Sequence, residues 1–129
     1  MKIQASAENY LETIYVLKRR IGAVRSIDVV NELGYSKPSI SVAMKNLREN
    51  GCIEMDSDGY IRLTERGSAV AEKMYERHTL FFRWLVSLGV DEKIAGEDAC
   101  RIEHVISEES FAAIKRHTGD LGADLPYPL

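Results

Sequence analysis

The 129-residue sequence predicts a mainly α-helical protein with one small β-hairpin, and three observations lead to that fold class. Apolar residues recur at helical spacing through most of the chain. Two short runs between residues 52 and 63 flank a turn rich in aspartate and glycine, a pattern typical of a hairpin. Gly34, Gly51 and Gly89 each follow a helical stretch, where glycine often ends a helix.

The residues before the hairpin predict three helices. The first covers residues 7–20, with Ser6 as its N-cap, and the second covers Ser26–Leu33 and ends at Gly34. The third opens at Ser36–Pro38, because serine caps helices well and proline is tolerated in the first turn. Two helices joined by a tight turn and followed by a hairpin indicate a winged helix-turn-helix.

The hairpin and the second half of the chain complete the order of elements. The predicted strands are 52–55 and 60–63, followed by helices over 68–88, 92–106 and 107–117 and an extended tail over 119–129. We therefore divide the chain into a winged helix-turn-helix domain, residues 1–67, and a helical domain, residues 68–129.

Composition places the chain among soluble globular proteins. Hydrophobic residues make up 45% and charged residues 29%, and no apolar run approaches the roughly 20 residues that span a bilayer. The N-terminus lacks the apolar segment of a secretory signal, so we expect a cytoplasmic protein without a membrane partner. In that compartment Cys52 and Cys100 are expected to remain reduced.

The exposed side of the third helix is a candidate surface for double-stranded DNA. The net charge of -3 hides an uneven distribution: 10 basic and 9 acidic residues lie in 1–67, against 7 and 11 in 68–129. Short hydroxyl side chains let a helix approach the major groove, and lysine and asparagine reach phosphates and base edges. The alternative interpretation is an ordinary solvated surface. The candidate contacts are Arg25, Ser36, Lys37, Pro38, Ser39, Ser41, Lys45, Asn46, Arg48 and Arg62.

Cys100, Glu103 and His104 form a candidate metal site, because these positions share one face of a helix. A thiolate, a carboxylate and an imidazole within one turn suit a divalent transition metal. The alternative is a buried cysteine beside an exposed Glu-His pair. His78 in the long helix and Glu12 in the first helix could complete the site, with Asn9 one turn before Glu12.

The apolar stretch around residues 80–88 predicts a dimer interface, since so much apolar surface is hard to bury within about 60 residues. Palindromic DNA half-sites also call for two-fold symmetric proteins. The alternative is a core packed against the first half of the chain. The candidate interface residues are Leu80, Phe81, Trp84 and Leu85.

With these residues identified, the sequence resembles the diphtheria-toxin-repressor family of metal-dependent transcriptional regulators, which includes iron-dependent repressors and manganese-transport regulators. The resemblance covers nearly the whole chain, and its most specific part is DACRIEHVIS at positions 98–107. The segments that carry it are Glu8–Tyr15, Tyr35–Ser41, Leu63–Gly67, Arg77–His78 and Asp98–Ser107.

The resemblance implies a homodimeric repressor that controls iron or manganese uptake, with a divalent metal as co-repressor. The metal would bind between the winged helix and the helical dimerisation domain and stabilise the DNA-binding form. The resemblance also implies the two-domain form, because the chain ends before the SH3-like domain of longer relatives. Carried over by position, the ligands are Cys100, Glu103, His104, His78 and Glu12, with Asn9 as a further one.

Departures from the family pattern bear on which metal binds. Cys100 is the iron-type choice and Glu12 the manganese-type choice, while Asn9 replaces methionine or aspartate. Two ancillary ligands of iron-type members fall on Phe82 and Gly96, so we expect a single site of mixed character. We expect Fe(II) ahead of Mn(II), with Co(II) and Zn(II) also compatible with the donor set.

Two other functions would use the same fold or the same candidate residues. A metal-independent winged-helix regulator would use the same fold, with Cys100, Glu103 and His104 as plain helix surface and core. A small thiol or metal-dependent enzyme would use Cys100 and His104, but neighbours one turn apart are poorly aimed at a shared substrate. The chain also has no glycine-rich phosphate loop or nucleophile elbow, so we predict a regulator and not an enzyme.

Overall fold

The computed structural model describes residues 5–119 and divides the chain into two compact units, Met1–Lys73 and Met74–Leu129. The described elements are α1 (Ala5–Ile21), β1 (Val24–Arg25), α2 (Ser26–Leu33), α3 (Lys37–Glu49), β2 (Ile53–Met55), β3 (Tyr60–Leu63), α4 (Glu65–Ser87), α5 (Glu92–Ile102) and α6 (Glu108–Thr118). The predicted fold class, mainly helical with a small hairpin, is confirmed. The expected extended tail lies almost wholly outside the described residues.

The first unit is built around a three-stranded antiparallel sheet with strand order β1-β3-β2. β1 was not predicted, because two residues are too few to show an alternating pattern; Val24 pairs with Ile61 and Arg25 with Tyr60. The core beneath the sheet comes from the apolar faces of α1, α2 and α3. Its fully buried members include Leu11, Ile14, Val29 and Ile40.

The turn between α2 and α3 sets the orientation of α3. Gly34 adopts the left-handed conformation with φ of 72°, which a residue with a side chain rarely adopts. The Ser36 hydroxyl then accepts a hydrogen bond from the Ser39 amide at 3.2 Å and caps α3. Ile40, Met44 and Leu47 lie in the core, so the opposite face of α3 points to solvent.

The start of α4 is fixed by a close contact with the residue before β2. The Thr64 hydroxyl accepts from the Gly67 amide at 3.1 Å and donates to the Gly51 carbonyl at 2.6 Å. A Cβ placed on Gly67 would lie 2.0 Å from the Cys52 carbonyl oxygen. α4 therefore begins at Glu65, three residues before the predicted start at Ser68, because Thr64 closes its first turn.

The second unit packs the later part of α4 with α5 and α6. Phe81 is 1% exposed and contacts the rings of Phe111 and Trp84, with centroids 6.0 and 6.5 Å away. Ala95 and Ala99 are fully buried and complete the core of this unit. Among the described residues, no helix combines the length and apolarity needed to cross a membrane. Cys52 and Cys100 are both free thiols.

Besides the start of α4, two further predicted helix ends were wrong. Ser6 is not the N-cap of α1, because the helix already includes Ala5. α5 ends at Ile102 and not at 106, since Glu103 forms its C-cap and residues 103–106 form a turn that ends in a bend. That turn lets the chain reach Ser107, which caps α6 by accepting from the Ser110 amide at 3.1 Å.

Candidate functional site

Cys100, Glu103 and His104 converge in the second unit, with one donor atom from each lying within 4.8 Å of the others. Cys100 lies on the last full turn of α5. Glu103 still has helical dihedral angles, φ -59° and ψ -25°, and its amide donates to the Ala99 carbonyl. The predicted convergence is therefore retained although the regular helix ends at Ile102.

Glu103 lies at the centre of this cluster. Its side chain is fully buried, and its carboxylate oxygens lie 3.0 Å from His78 Nδ1 and 3.2 Å from His104 Nε2. The two imidazoles are 16% and 10% exposed, so the cluster is close to solvent without being open to it. A buried carboxylate is stabilised only by polar or cationic partners, and here imidazoles from α4 and from the turn after α5 supply them.

The donor set fits a divalent transition metal. It combines a half-buried thiol, a buried carboxylate and imidazole nitrogens, which are soft, hard and borderline donors. Metal–ligand bonds of about 2.0–2.3 Å place donors that share one ion roughly 3–4 Å apart. Donors already within 4.8 Å of one another need only small side-chain rotations to reach such an arrangement.

The other predicted ligands, Asn9 and Glu12, lie on α1 in the first unit. Glu12 is 7% exposed, an unusual environment for a carboxylate. Asn9 is half-buried, and its main-chain carbonyl accepts a hydrogen bond from the Thr13 hydroxyl at 2.8 Å. Their role as ligands stays a prediction, as does the loss of an ancillary site at Phe82 and Gly96.

The exposed face of α3 carries most of the predicted DNA contacts. The side chains of Ser36, Lys37, Pro38, Ser39, Ser41, Lys45, Asn46 and Arg48 are all exposed. The Ser36 hydroxyl is engaged in capping α3 and also donates to the Ser39 hydroxyl at 2.8 Å. These positions can reach DNA, and their contacts with it stay predictions.

Sequence reasoning missed Val42 on this same face. Val42 is 60% exposed. It lies three residues after Ser39 and three before Lys45, so it shares the exposed face of α3 with them. Its position between these two polar residues at helical spacing was the signal that could have identified it.

Arg25 and Arg62 lie on the sheet beside α3. The Arg25 guanidinium stacks over the Tyr60 ring, 4.3 Å from its centroid, which orients an exposed side chain. Arg62 forms an exposed ion pair with Glu54 across the β2–β3 hairpin, and the hydrogen bond and negative charge of Glu54 raise the pKa of Arg62. Exposed ion pairs contribute little free energy, so Arg62 can exchange Glu54 for a phosphate.

The predicted interface residues differ in exposure within the second unit. Phe81 belongs to the core, whereas Leu80, Trp84 and Leu85 are half-buried and pack around it. In the turn directly after α4, Leu88 is 66% exposed. Contact of these residues with a second subunit stays a prediction.

Two family models match the chain. The "Iron dependent repressor, N-terminal DNA binding domain" matches residues 2–69, and the "Iron dependent repressor, metal binding and dimerisation domain" matches residues 64–126.

Individual relatives agree with these matches. The transcriptional regulator MntR of Escherichia coli is 36% identical over 116 residues, covering 90% of this chain and 75% of MntR. The iron-dependent repressor IdeR of Mycobacterium tuberculosis is 31% identical over 105 residues, covering 81% of this chain and 46% of IdeR.

A solved structure agrees as well. A manganese-dependent transcriptional repressor in complex with manganese superposes with a TM-score of 0.79 at 27% identity, over 88% of this chain and 52% of that one. The chain thus spans about half the length of IdeR and of this structure. The chain belongs to the iron-dependent repressor family, whose two domain models together match residues 2–126.

Proposed function

We propose that this chain is a metal-dependent, DNA-binding transcriptional repressor that acts as a homodimer in the cytoplasm and controls iron or manganese uptake. The observation that carries the proposal is the Cys100, Glu103 and His104 donor cluster in a chain that belongs to the iron-dependent repressor family. A metal-independent winged-helix regulator would have no use for a thiol, a carboxylate and an imidazole gathered within 4.8 Å.

The metal ligands in this proposal are Cys100, Glu103, His104 and His78, joined by Glu12 and Asn9 of α1. A divalent ion held there would supply positive charge that offsets a thiolate and a buried carboxylate. His78 and His104 would hold such an ion through neutral imidazole nitrogens, and Cys100 would hold it as a thiolate. Cys100 favours Fe(II), Co(II) or Zn(II), while Glu12 and Glu103 also suit Mn(II), so Fe(II) is proposed ahead of Mn(II).

The DNA-binding surface in this proposal is the exposed face of α3 together with Arg25 and Arg62. Lys37, Lys45 and Arg48 contact phosphates, while the short side chains of Ser39 and Ser41 allow α3 to enter the major groove. Val42 offers an apolar contact to the methyl group of thymine. A homodimer presents two such helices to the half-sites of a palindromic operator.

The dimer interface in this proposal uses Leu80, Trp84 and Leu85, with Phe81 supporting them from the core. Trp84 is the single tryptophan of the chain, so its fluorescence reports on this region alone. Dilution of the full chain is expected to shift Trp84 emission as its ring becomes hydrated, in step with the loss of dimer in sedimentation velocity.

The central test measures DNA binding of the full chain with and without metal. An operator is first selected from random duplexes in the presence of Fe(II) without oxygen, and its binding is then followed by fluorescence anisotropy with Fe(II), with Mn(II) or with a chelator. We expect tight binding only with metal. Equal affinity in the chelator would exclude metal dependence and leave the metal-independent regulator as the function.

A further inference from the structure

A buried arginine connects α4 to the turn that carries two of the proposed metal ligands. Arg77 is 4% exposed and immediately precedes His78. Its Nη1 donates hydrogen bonds to the carbonyl oxygens of Glu103 at 3.1 Å and Ile106 at 2.7 Å. Its guanidinium carbon lies 5.4 Å from the ring centroid of Phe111 on α6. One side chain therefore contacts the first and last residues of 103–106 and the helix that follows.

The chemistry of this contact explains why arginine occupies the position. Carbonyl groups at the C-terminal end of a helix have no partners within the helix, and buried ones need a donor. The guanidinium supplies that donor and remains charged when buried, while the face of Phe111 replaces part of its hydration. An apolar side chain of similar length would fill the space and leave both carbonyl oxygens without this donor.

Two neighbouring residues of α4 therefore contact Glu103, one at its carboxylate and one at its main-chain carbonyl. His78 Nδ1 lies 3.0 Å from its carboxylate, and Arg77 binds its main-chain carbonyl. His104 follows directly in the same turn. Glu103 keeps one helical hydrogen bond, from its amide to the Ala99 carbonyl, but the regular α5 ends at Ile102, so the turn that carries both side chains needs a further contact to hold it.

We propose that Arg77 is a positioning residue for the metal centre, which fixes the turn over 103–106 and with it the Glu103 carboxylate and the His104 imidazole. This inference rests on the proposed metal binding. Among the described residues, Arg77 donates hydrogen bonds to the main-chain carbonyls of Glu103 and Ile106, and its guanidinium is not a metal ligand. Groups that orient metal ligands typically change metal affinity by about 10–100-fold when removed.

The test compares Arg77→Lys and Arg77→Met with the wild type and a control, Arg101→Met. Arg101 lies on α5 with a side chain that is 76% exposed and pairs with Asp98 at 3.1 Å, so it matches Arg77 in charge and not in contacts. Co(II) titration of the full chain without oxygen gives the dissociation constant. We expect Arg77→Met to bind about 10–100-fold more weakly, Arg77→Lys to be intermediate and Arg101→Met to be unchanged.

Arg77→Lys decides the question, because it keeps the charge while its ammonium ends one bond short of the Nη1 position that bridges both carbonyls. Arg77→Lys binding Co(II) as tightly as Arg101→Met would overturn the inference while leaving the proposed metal binding intact. Failure of the wild type to bind Co(II) would instead overturn the proposed function, and this inference with it.

A second readout separates positioning from general stability. At saturating Co(II), the visible d–d spectrum reports coordination geometry, and the thiolate charge-transfer band reports the bond to Cys100. Loss of positioning predicts an altered d–d spectrum with the thiolate band retained, because Cys100 lies on the regular part of α5. A lower metal-free unfolding midpoint combined with unchanged spectra and affinity would assign Arg77 a structural role only and overturn the inference.

Discussion

At the scale of single residues, Cys100 supplies the one soft donor among the proposed ligands and should govern metal preference. Replacing it in Cys100→Glu substitutes a hard oxygen donor for sulfur, which favours Mn(II) over Fe(II), Co(II) and Zn(II). We expect the ratio of Mn(II) to Co(II) affinity to rise in this variant. Competition titrations of the two metals against a chromophoric chelator measure that ratio.

Cys52 provides an internal control for the Cys100 experiment. It is the other cysteine of the chain, is fully buried and belongs to the core of the first unit. The Co(II) thiolate band should therefore disappear in Cys100→Glu, which still contains Cys52. An unchanged ranking of metals, or a thiolate band that persists, would count against Cys100 as a selective ligand.

Val42 makes a residue-scale prediction about base recognition. Its exposed side chain should contact a thymine methyl group, so a uracil substitution in the selected operator should weaken wild-type binding by about 0.8 kcal/mol, the value of one buried methyl-sized group. Val42→Ala should be less sensitive to that substitution. Lys45→Ala serves as the control, because loss of a phosphate contact weakens thymine and uracil duplexes equally. Equal uracil sensitivity in Val42→Ala and the wild type would exclude the contact.

At the scale of elements, the start of α4 depends on the missing side chain of Gly67. A methyl group there would lie 2.0 Å from the Cys52 carbonyl oxygen, which accepts a hydrogen bond from the Thr64 amide at 3.0 Å. The clash is with main chain, so it cannot be relieved by rotating a side chain. Gly67→Ala should destabilise the protein by about 3 kcal/mol or more, measured as a lower urea midpoint by circular dichroism.

Gly96 offers the matched comparison for Gly67. It lies within α5, and a Cβ there would meet nothing within 4 Å. Gly96→Ala should be neutral or stabilise by up to about 1 kcal/mol, because alanine has the higher helix propensity. If both variants shifted the midpoint equally, the contact with Cys52 would not be the cause.

Elements with strong local signals were predicted well from the sequence. α2 was predicted with its observed ends, because Gly34 and the Ser36 cap are local features. β1 was missed because its two residues become a strand only through pairing with β3. The end of α5 was misplaced because apolar spacing continues past Ile102, while the Ser107 cap of α6 requires the chain to leave the helix earlier.

The candidate site shows the same division between local and tertiary information. Cys100, Glu103 and His104 are close in sequence, so helical spacing alone brought them together. The contact of His78 with Glu103 joins residues 25 apart, and those of Arg77 with Glu103 and Ile106 join residues 26 and 29 apart. Contacts over such sequence separations leave no local sequence pattern. Nothing in the residues around Arg77 shows whether its side chain is buried and hydrogen-bonded to main-chain carbonyls or exposed to solvent.

At the scale of the whole molecule, metal binding and DNA binding must influence each other by the same factor if the proposed function is correct. If the metal raises operator affinity by a given factor, thermodynamic linkage requires the operator to raise metal affinity by the same factor. Couplings of this kind are typically about 1–3 kcal/mol, or roughly 5–150-fold. The prediction is therefore quantitative and can be checked from two independent directions.

The experiment closes a thermodynamic cycle with four dissociation constants, all measured on the full chain without oxygen. Operator affinity is measured with saturating Co(II) and with a chelator, and Co(II) affinity is measured with and without operator through the thiolate band. The two ratios should agree, and both should exceed one. Equal ratios near one would mean that metal and DNA bind independently, which contradicts a co-repressor role. When the same cycle is measured with Arg77→Lys, the dissociation constant for Co(II) should be higher than in the wild type. The reason is that Arg77 is proposed to act on the metal centre and not on the DNA-binding surface.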